Sequence, residues 1–159
     1  MGVVGYVTVA EATEYVRTRY PATDELRTAW EALQPADQTV YLQRSFDIIE
    51  LLPFRGRKTD KQQKTAFPRY PSTEVPRAIK YAQIENALGL ADETLITDTA
   101  FYEKLFRYGV ESYSIGNLSE STSNGSWGHV GTESAERSLS TAQALAYVRP
   151  FLMGGFSVE

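Results

Sequence analysis

The sequence predicts a mainly α fold: a small helical bundle with a long central helix, a short strand or hairpin near 105–120, a flexible arm and a C-terminal tail. Three observations carry that reading. Apolar residues recur at three- and four-residue spacing near 8–19, 24–33, 35–52, 75–91 and 139–152, the period of helices with an inward face. Caps and prolines mark the ends of these stretches. Residues 110–118 alternate instead with period two, as a strand does. The chain of 159 residues suits one domain with a real core. Residues 6–91 and 139–152 form the expected bundle, 105–134 an extended strand and arm, and 153–159 the tail.

Thr8 opens the first helix, with Glu11 three residues on completing a capping box. Val9, Ala12 and Val16 share its inner face. Arg17 and Arg19 suit its negative end, and Tyr20-Pro21 stops it. Thr23 or Asp24 opens the second helix, with Leu26, Ala29, Trp30 and Leu33 inward. Pro35 fits the first turn of the third. There Val40, Leu42, Phe46, Ile49 and Leu52 read as inner positions, and Gln38, Gln43, Arg44 and Asp47 as outer ones.

After Pro53 comes a stretch that cannot be helical. Pro68, Pro71 and Pro76 stiffen it and bias the residues before them toward extended backbone. Phe67, pinned by Pro68, is its expected anchor against the core. Thr73 is a candidate cap for the next helix, with Glu74 and Pro76 in its first turn. Val75, Ile79, Ala82 and Asn86 fall on one stripe of that helix, and Tyr81, Ile84, Leu88 and Ala91 on another. A helix apolar on two sides belongs at the centre of a bundle.

Tyr113 and Ile115 share a strand face, yet a lone strand in a helical chain has little to pair with. It is expected to pair with another chain. The polar, Gly-rich segment 119–134 cannot bury its own core. Trp127 within it is a candidate interface anchor, since Trp is enriched at binding hot spots. Ser140 is the expected cap of the last helix, which carries Ala142, Leu145, Ala146 and Leu152.

Chemistry is sparse. There is no cysteine, so thiolate sites are excluded. His129 is the only histidine and cannot build a zinc site of the usual kind. Asp92, Glu93 and Asp98 read as a solvated connector. No catalytic residue, metal or cofactor is expected, and the chain does not read as an enzyme. No stretch approaches the ~20 apolar residues that span a bilayer, and residues 1–10 lack the pattern of a signal peptide.

One local charge asymmetry stands out. Arg55, Arg57, Lys58, Lys61, Lys64 and Arg69 crowd one loop with Asp60 the one acid among them, in a chain of net charge -4. The loop has two readings. Its cations could meet phosphates, with Phe54 and Phe67 stacking on bases. In a net acidic chain the favoured reading is the structural one, in which they are solvated or pair with acids of a neighbouring subunit.

The order of elements adds a resemblance over roughly residues 6–120. A basic Gly turn (Arg55-Gly56-Arg57-Lys58), a Gln step (Gln62-Gln63-Lys64), Ala66-Phe67-Pro68-Arg69, Val75-Pro76 and a long Ala/Ile helix resemble the head–tail connector (adaptor or head-completion) proteins of tailed bacteriophages. Some relatives of that pattern are labelled DnaT-like single-stranded-DNA-binding proteins. The resemblance implies a homo-oligomeric ring in the virion neck following the portal's twelvefold symmetry, assembled in the host cytoplasm. Its partners would be the portal, a tail or neck protein, and packaged double-stranded DNA in the channel. Tyr113, Ile115, Leu118, Trp127 and Phe156 are then candidates for the subunit or portal interface. The alternative is a replication module that binds single-stranded DNA through loop 55–69.

Overall fold

The computed structural model describes residues 2–92, 112–115, 118–121 and 138–153, and these are mainly helical. Helix α1 (Val9–Arg19) starts on the expected capping box: Thr8 Oγ1 accepts from the Glu11 amide, and Glu11 returns the bond to Thr8. Asp24 caps α2 (Glu25–Ala32), and Pro35 opens α3 (Pro35–Glu50). Helix α4 (Arg77–Ala91) follows the long loop, and α5 (Ala142–Val148) runs into one 3₁₀ turn, Arg149–Phe151.

Helix α4 is central because it feeds both halves of the core. Ile79 and Ala82 pack with Tyr6, Ile49, Leu52, Phe54, Phe67, Val148 and Leu152. Ile84, Ala87 and Leu88 pack with Val7, Val16, Trp30 and Leu42. Between them lies a polar seam. Gln83 Oε1 accepts from the Tyr6 amide at 3.0 Å, and its Nε2 donates to the carbonyls of Val4 and Leu42. Ser45 Oγ donates to the Gln83 carbonyl, and Asn86 Nδ2 donates to Ser45. The Ser140 amide donates to Asn86 Oδ1 at 2.7 Å. A buried amide must find partners, and here they come from three other segments: residues 4–6, α3 and the lead-in to α5. The seam therefore fixes how those segments sit on α4. Gly89 permits the last approach, since a Cβ there would collide with the side chains of Ser140 and Thr141.

Several local expectations are corrected. Helix α4 has Pro76 at its N-cap with no side-chain cap; Ser72 bonds Glu74 in a separate turn, and Thr73 stays outside. Thr141, not Ser140, caps α5, because Ser140 is committed to Asn86. Helix α5 buries Ala144 and Val148 while Ala142 and Ala146 are exposed. On α3, Gln38 is buried and donates to the Trp30 carbonyl, while Val40 faces out. The α2–α3 junction needed a donor there, and that requirement overrode hydropathy. Leu52 and Leu152 are buried but lie beyond their helices.

Strand β1 (Ser112–Ile115) pairs antiparallel with β2 (Leu118–Ser121), Ile115 opposite Leu118 and Ser112 opposite Ser121. The expected lack of a partner within the chain is thus overturned. The partner strand includes residues 119–121, which composition had assigned to the polar arm. Serine does not prevent this, because the ladder consists of backbone bonds and two residues suffice to join antiparallel strands.

Candidate nucleic-acid interface

The basic loop is tied down at its foot, its middle and its legs. At the foot, the Arg55 amide donates to the Phe151 carbonyl and the Met153 amide to Pro53, each at 2.8 Å, around a bridge between Phe54 and Leu152. In the middle, Phe67 is driven into the core at 1% exposure. Its ring meets Phe54, Phe151 and Tyr6 edge-on, with centroids 4.7, 5.7 and 6.2 Å away. The Phe67 amide donates to the Tyr6 hydroxyl at 3.1 Å. That hydroxyl donates to Glu50, whose second oxygen accepts from the Ala66 amide. Burial and then the Glu50 bond push the Tyr6 phenol well above its ordinary pKa. Along the legs, the Tyr70 amide donates to the Arg57 carbonyl at 3.0 Å and the Thr59 amide to Pro68 at 3.2 Å.

The six cations divide in two. Arg69 is turned inward. Its guanidinium donates to the carbonyls of Phe54, Arg55, Gly56 and Ala66, so it clasps both legs. Lys58 Nζ donates to the Gln63 and Lys64 carbonyls. Arg55, Arg57, Lys61 and Lys64 are exposed. Among the described residues, the heads of Arg55, Lys61 and Lys64 make no hydrogen bond or ion pair. Asp60 Oδ1 accepts from the Gln62 amide, and Gln63 closes the same turn. The loop therefore presents four positive charges on a braced frame.

Two expected base-stacking residues are corrected. Phe54 and Phe67 are core side chains at 6% and 1% exposure and cannot meet a base. The exposed aromatic is Tyr70, at 60%, with the Arg57 guanidinium 4.3 Å from its ring centroid. Sequence reasoning passed over it as one more residue before a proline. Its neighbourhood of Arg57 and Arg69 was the signal available.

Of the other singled-out residues, Ile79 and Ala82 are fully buried on α4, and Pro68 and Pro76 are half-buried. Tyr113, Ile115 and Leu118 lie in the hairpin. Trp127, His129 and Phe156 lie outside the described residues. A concavity of about 540 Å³ between α1 and α4 is lined by Glu11, Tyr15, Arg19, Lys80 and Tyr81. There Arg19 lies 4.7 Å from both tyrosine centroids, and Lys80 pairs with Glu11 at 3.9 Å, while Glu14 and Arg77 also line the wall. Beneath it, buried Glu85 accepts from the Tyr15 and Tyr20 hydroxyls, each at 2.6 Å. Burial, then the Glu85 bond, raises both phenol pKa values. No described helix is long and apolar enough to cross a membrane.

No curated protein and no solved structure matches the chain. A family model does, from residue 3 to residue 155. On that near-complete match, the chain belongs to the family described as "Putative DnaT-like ssDNA binding protein".

Proposed function

We propose that the chain binds single-stranded DNA, without catalysis, through the outward face of loop 55–70. The observation that carries this reading is the division of cations just described: two brace the loop and four face solvent. A phosphate chain rewards this arrangement, because each cation that meets a phosphate releases a counterion. Bracing matters too, since a pre-ordered loop loses less entropy on binding. The family description supports the same ligand.

Salt dependence tests it. Single strands lose affinity with a log–log slope of about -0.7 per neutralised phosphate, so four contacts give about -2.8. Anisotropy of a labelled thymidine 20-mer should show that slope. The triple variant R55A/K61A/K64A should retain about -0.7. A slope that the triple variant leaves unchanged would place the DNA elsewhere or nowhere on this protein.

A second reading has its own support. Leu51 and Met153 are 85% and 56% exposed and flank Pro53, whose carbonyl holds the Met153 amide. Large apolar side chains together at the surface suit a protein partner. A protein contact is what the connector implied by the resemblance would need: a twelvefold ring in the virion neck, seated between the portal and the tail or neck protein, with packaged double-stranded DNA in its channel. Mass photometry with and without portal separates the readings. A ring that L51D/M153D abolishes supports the connector, and a monomer unaffected by portal removes it.

A further inference from the structure

We infer that Tyr70, backed by Arg57, is the base-stacking shelf by which the loop selects single strands over duplex. This rests on the single-strand reading above and adds the residue that discriminates. Cations alone do not discriminate, since both forms of DNA carry phosphates. An unstacked base differs in offering a bare face, which an exposed aromatic ring can cover.

Three observations place that ring here. Tyr70 is 60% exposed, although it sits in the same loop as the fully buried Phe67. Arg57 lies over one ring face, 4.3 Å from the centroid, which leaves the other face for a ligand. The Tyr70 amide bonds the Arg57 carbonyl at 3.0 Å, so backbone geometry holds the two side chains together. The neighbouring leg residue, Arg69, is clasped to four carbonyls, and the shelf inherits that rigidity. A base stacked on Tyr70 would find Arg57 behind it. Its flanking phosphates would face Arg55, Lys61 and Lys64 along the same loop.

The experiment compares wild type, Y70A and Y70F on a labelled thymidine 20-mer and on a 20-base-pair duplex at 50 mM salt. Base–aromatic stacking predicts that Y70A weakens single-strand binding by about 5- to 150-fold. Duplex binding should change by less than about twofold, and Y70F should stay close to wild type because it keeps the ring. Melting temperature serves as the fold control, and an exposed ring should leave it unchanged. If Y70A binds single strands like wild type, or weakens both DNA forms equally, the shelf is refuted while the phosphate-binding loop survives. If wild type binds no single strand at all, the functional reading falls and the shelf with it.

Discussion

Replacing Phe67 with alanine should unfold the loop and the core together, and the structure sets the scale. The side chain is 1% exposed and meets three aromatic rings. Removing a buried phenylalanine costs about 3–5 kcal/mol, part transfer and part cavity. Edge-to-face partners add about 0.5–1.5 kcal/mol each beyond burial, which argues for the upper end. Collapse of the cavity is restricted, because Phe54 and Leu152 are themselves buried and joined by a backbone bridge. At this chain length about 1 kcal/mol shifts the melting temperature by about 2–4 °C, so F67A should melt roughly 10–20 °C lower. Circular dichroism at 222 nm measures it. Y70A, three residues away, is the internal control and should stay within about 0.5 kcal/mol, as exposed substitutions do. If F67A melts within a few degrees of wild type, the loop is not keyed to the core, and the bracing argument fails with it.

Three further outcomes are expected. Arg69→Lys cannot serve four carbonyls from one ammonium head, so amide exchange at Thr59 and Tyr70 should accelerate while the salt slope for DNA stays near that of wild type; unchanged exchange would show that Arg69 is not the clasp. Glu85→Ala removes the acceptor of two phenols. Tyr15 can turn to Tyr147, 3.4 Å away, which leaves Tyr20 orphaned at a cost of about 2–3 kcal/mol in urea unfolding; a variant as stable as wild type would refute the network. Tyr6, Tyr15 and Tyr20 have folded pKa values raised above the ordinary 10.0, so above that pH the unfolded chain binds fewer protons than the native one. Stability should therefore be flat below about pH 9 and fall above pH 10, by up to about 1.4 kcal/mol per pH unit for each phenol. These phenols should ionise at 295 nm only as the helical signal is lost, and reversible ionisation of all ten tyrosines with helicity intact would contradict their burial.

What could be read from the sequence was whatever depended on local period and caps. Thr8 with Glu11, Pro35 and the two apolar stripes of α4 each specify their element within a few residues, so five helices were legible. Residues whose roles depend on distant partners were not. Gln38 reads as an outer position until the Trp30 carbonyl is seen to need a donor. Ser140 reads as a cap until Asn86 is seen to claim it. The same holds in the loop. Six cations and two aromatics, Phe54 and Phe67, stand out there as a cluster, but nothing in their spacing tells that Arg69 turns inward, that both aromatics are core and that Tyr70 is the exposed ring. The place of Phe67 is set by Tyr6 and Phe151, which lie far away in the chain, and that of Arg69 by carbonyls of the loop's own legs, which become neighbours only once it folds.

The net charge of -4 conceals this sorting and leads to one more prediction. The interior acids near the loop and α4 take neutral donors: Glu85 takes two phenols, and Glu50 a phenol and an amide. They consume no cation, so the loop keeps its four outward charges although acids outnumber bases overall. Range then decides which charge DNA senses. At 0.1 M salt the screening length is about 10 Å, and a phosphate at the loop responds mainly to the loop. At 0.01 M it reaches about 30 Å, comparable to the whole domain, and the net negative charge begins to repel the strand. Affinity should therefore rise as salt falls from about 200 to 50 mM and then level off below about 30 mM, which bends the log–log plot. The same anisotropy titration, extended to 10 mM, reads this directly. A straight line to the lowest salt would mean that the strand contacts more positive surface than the loop supplies.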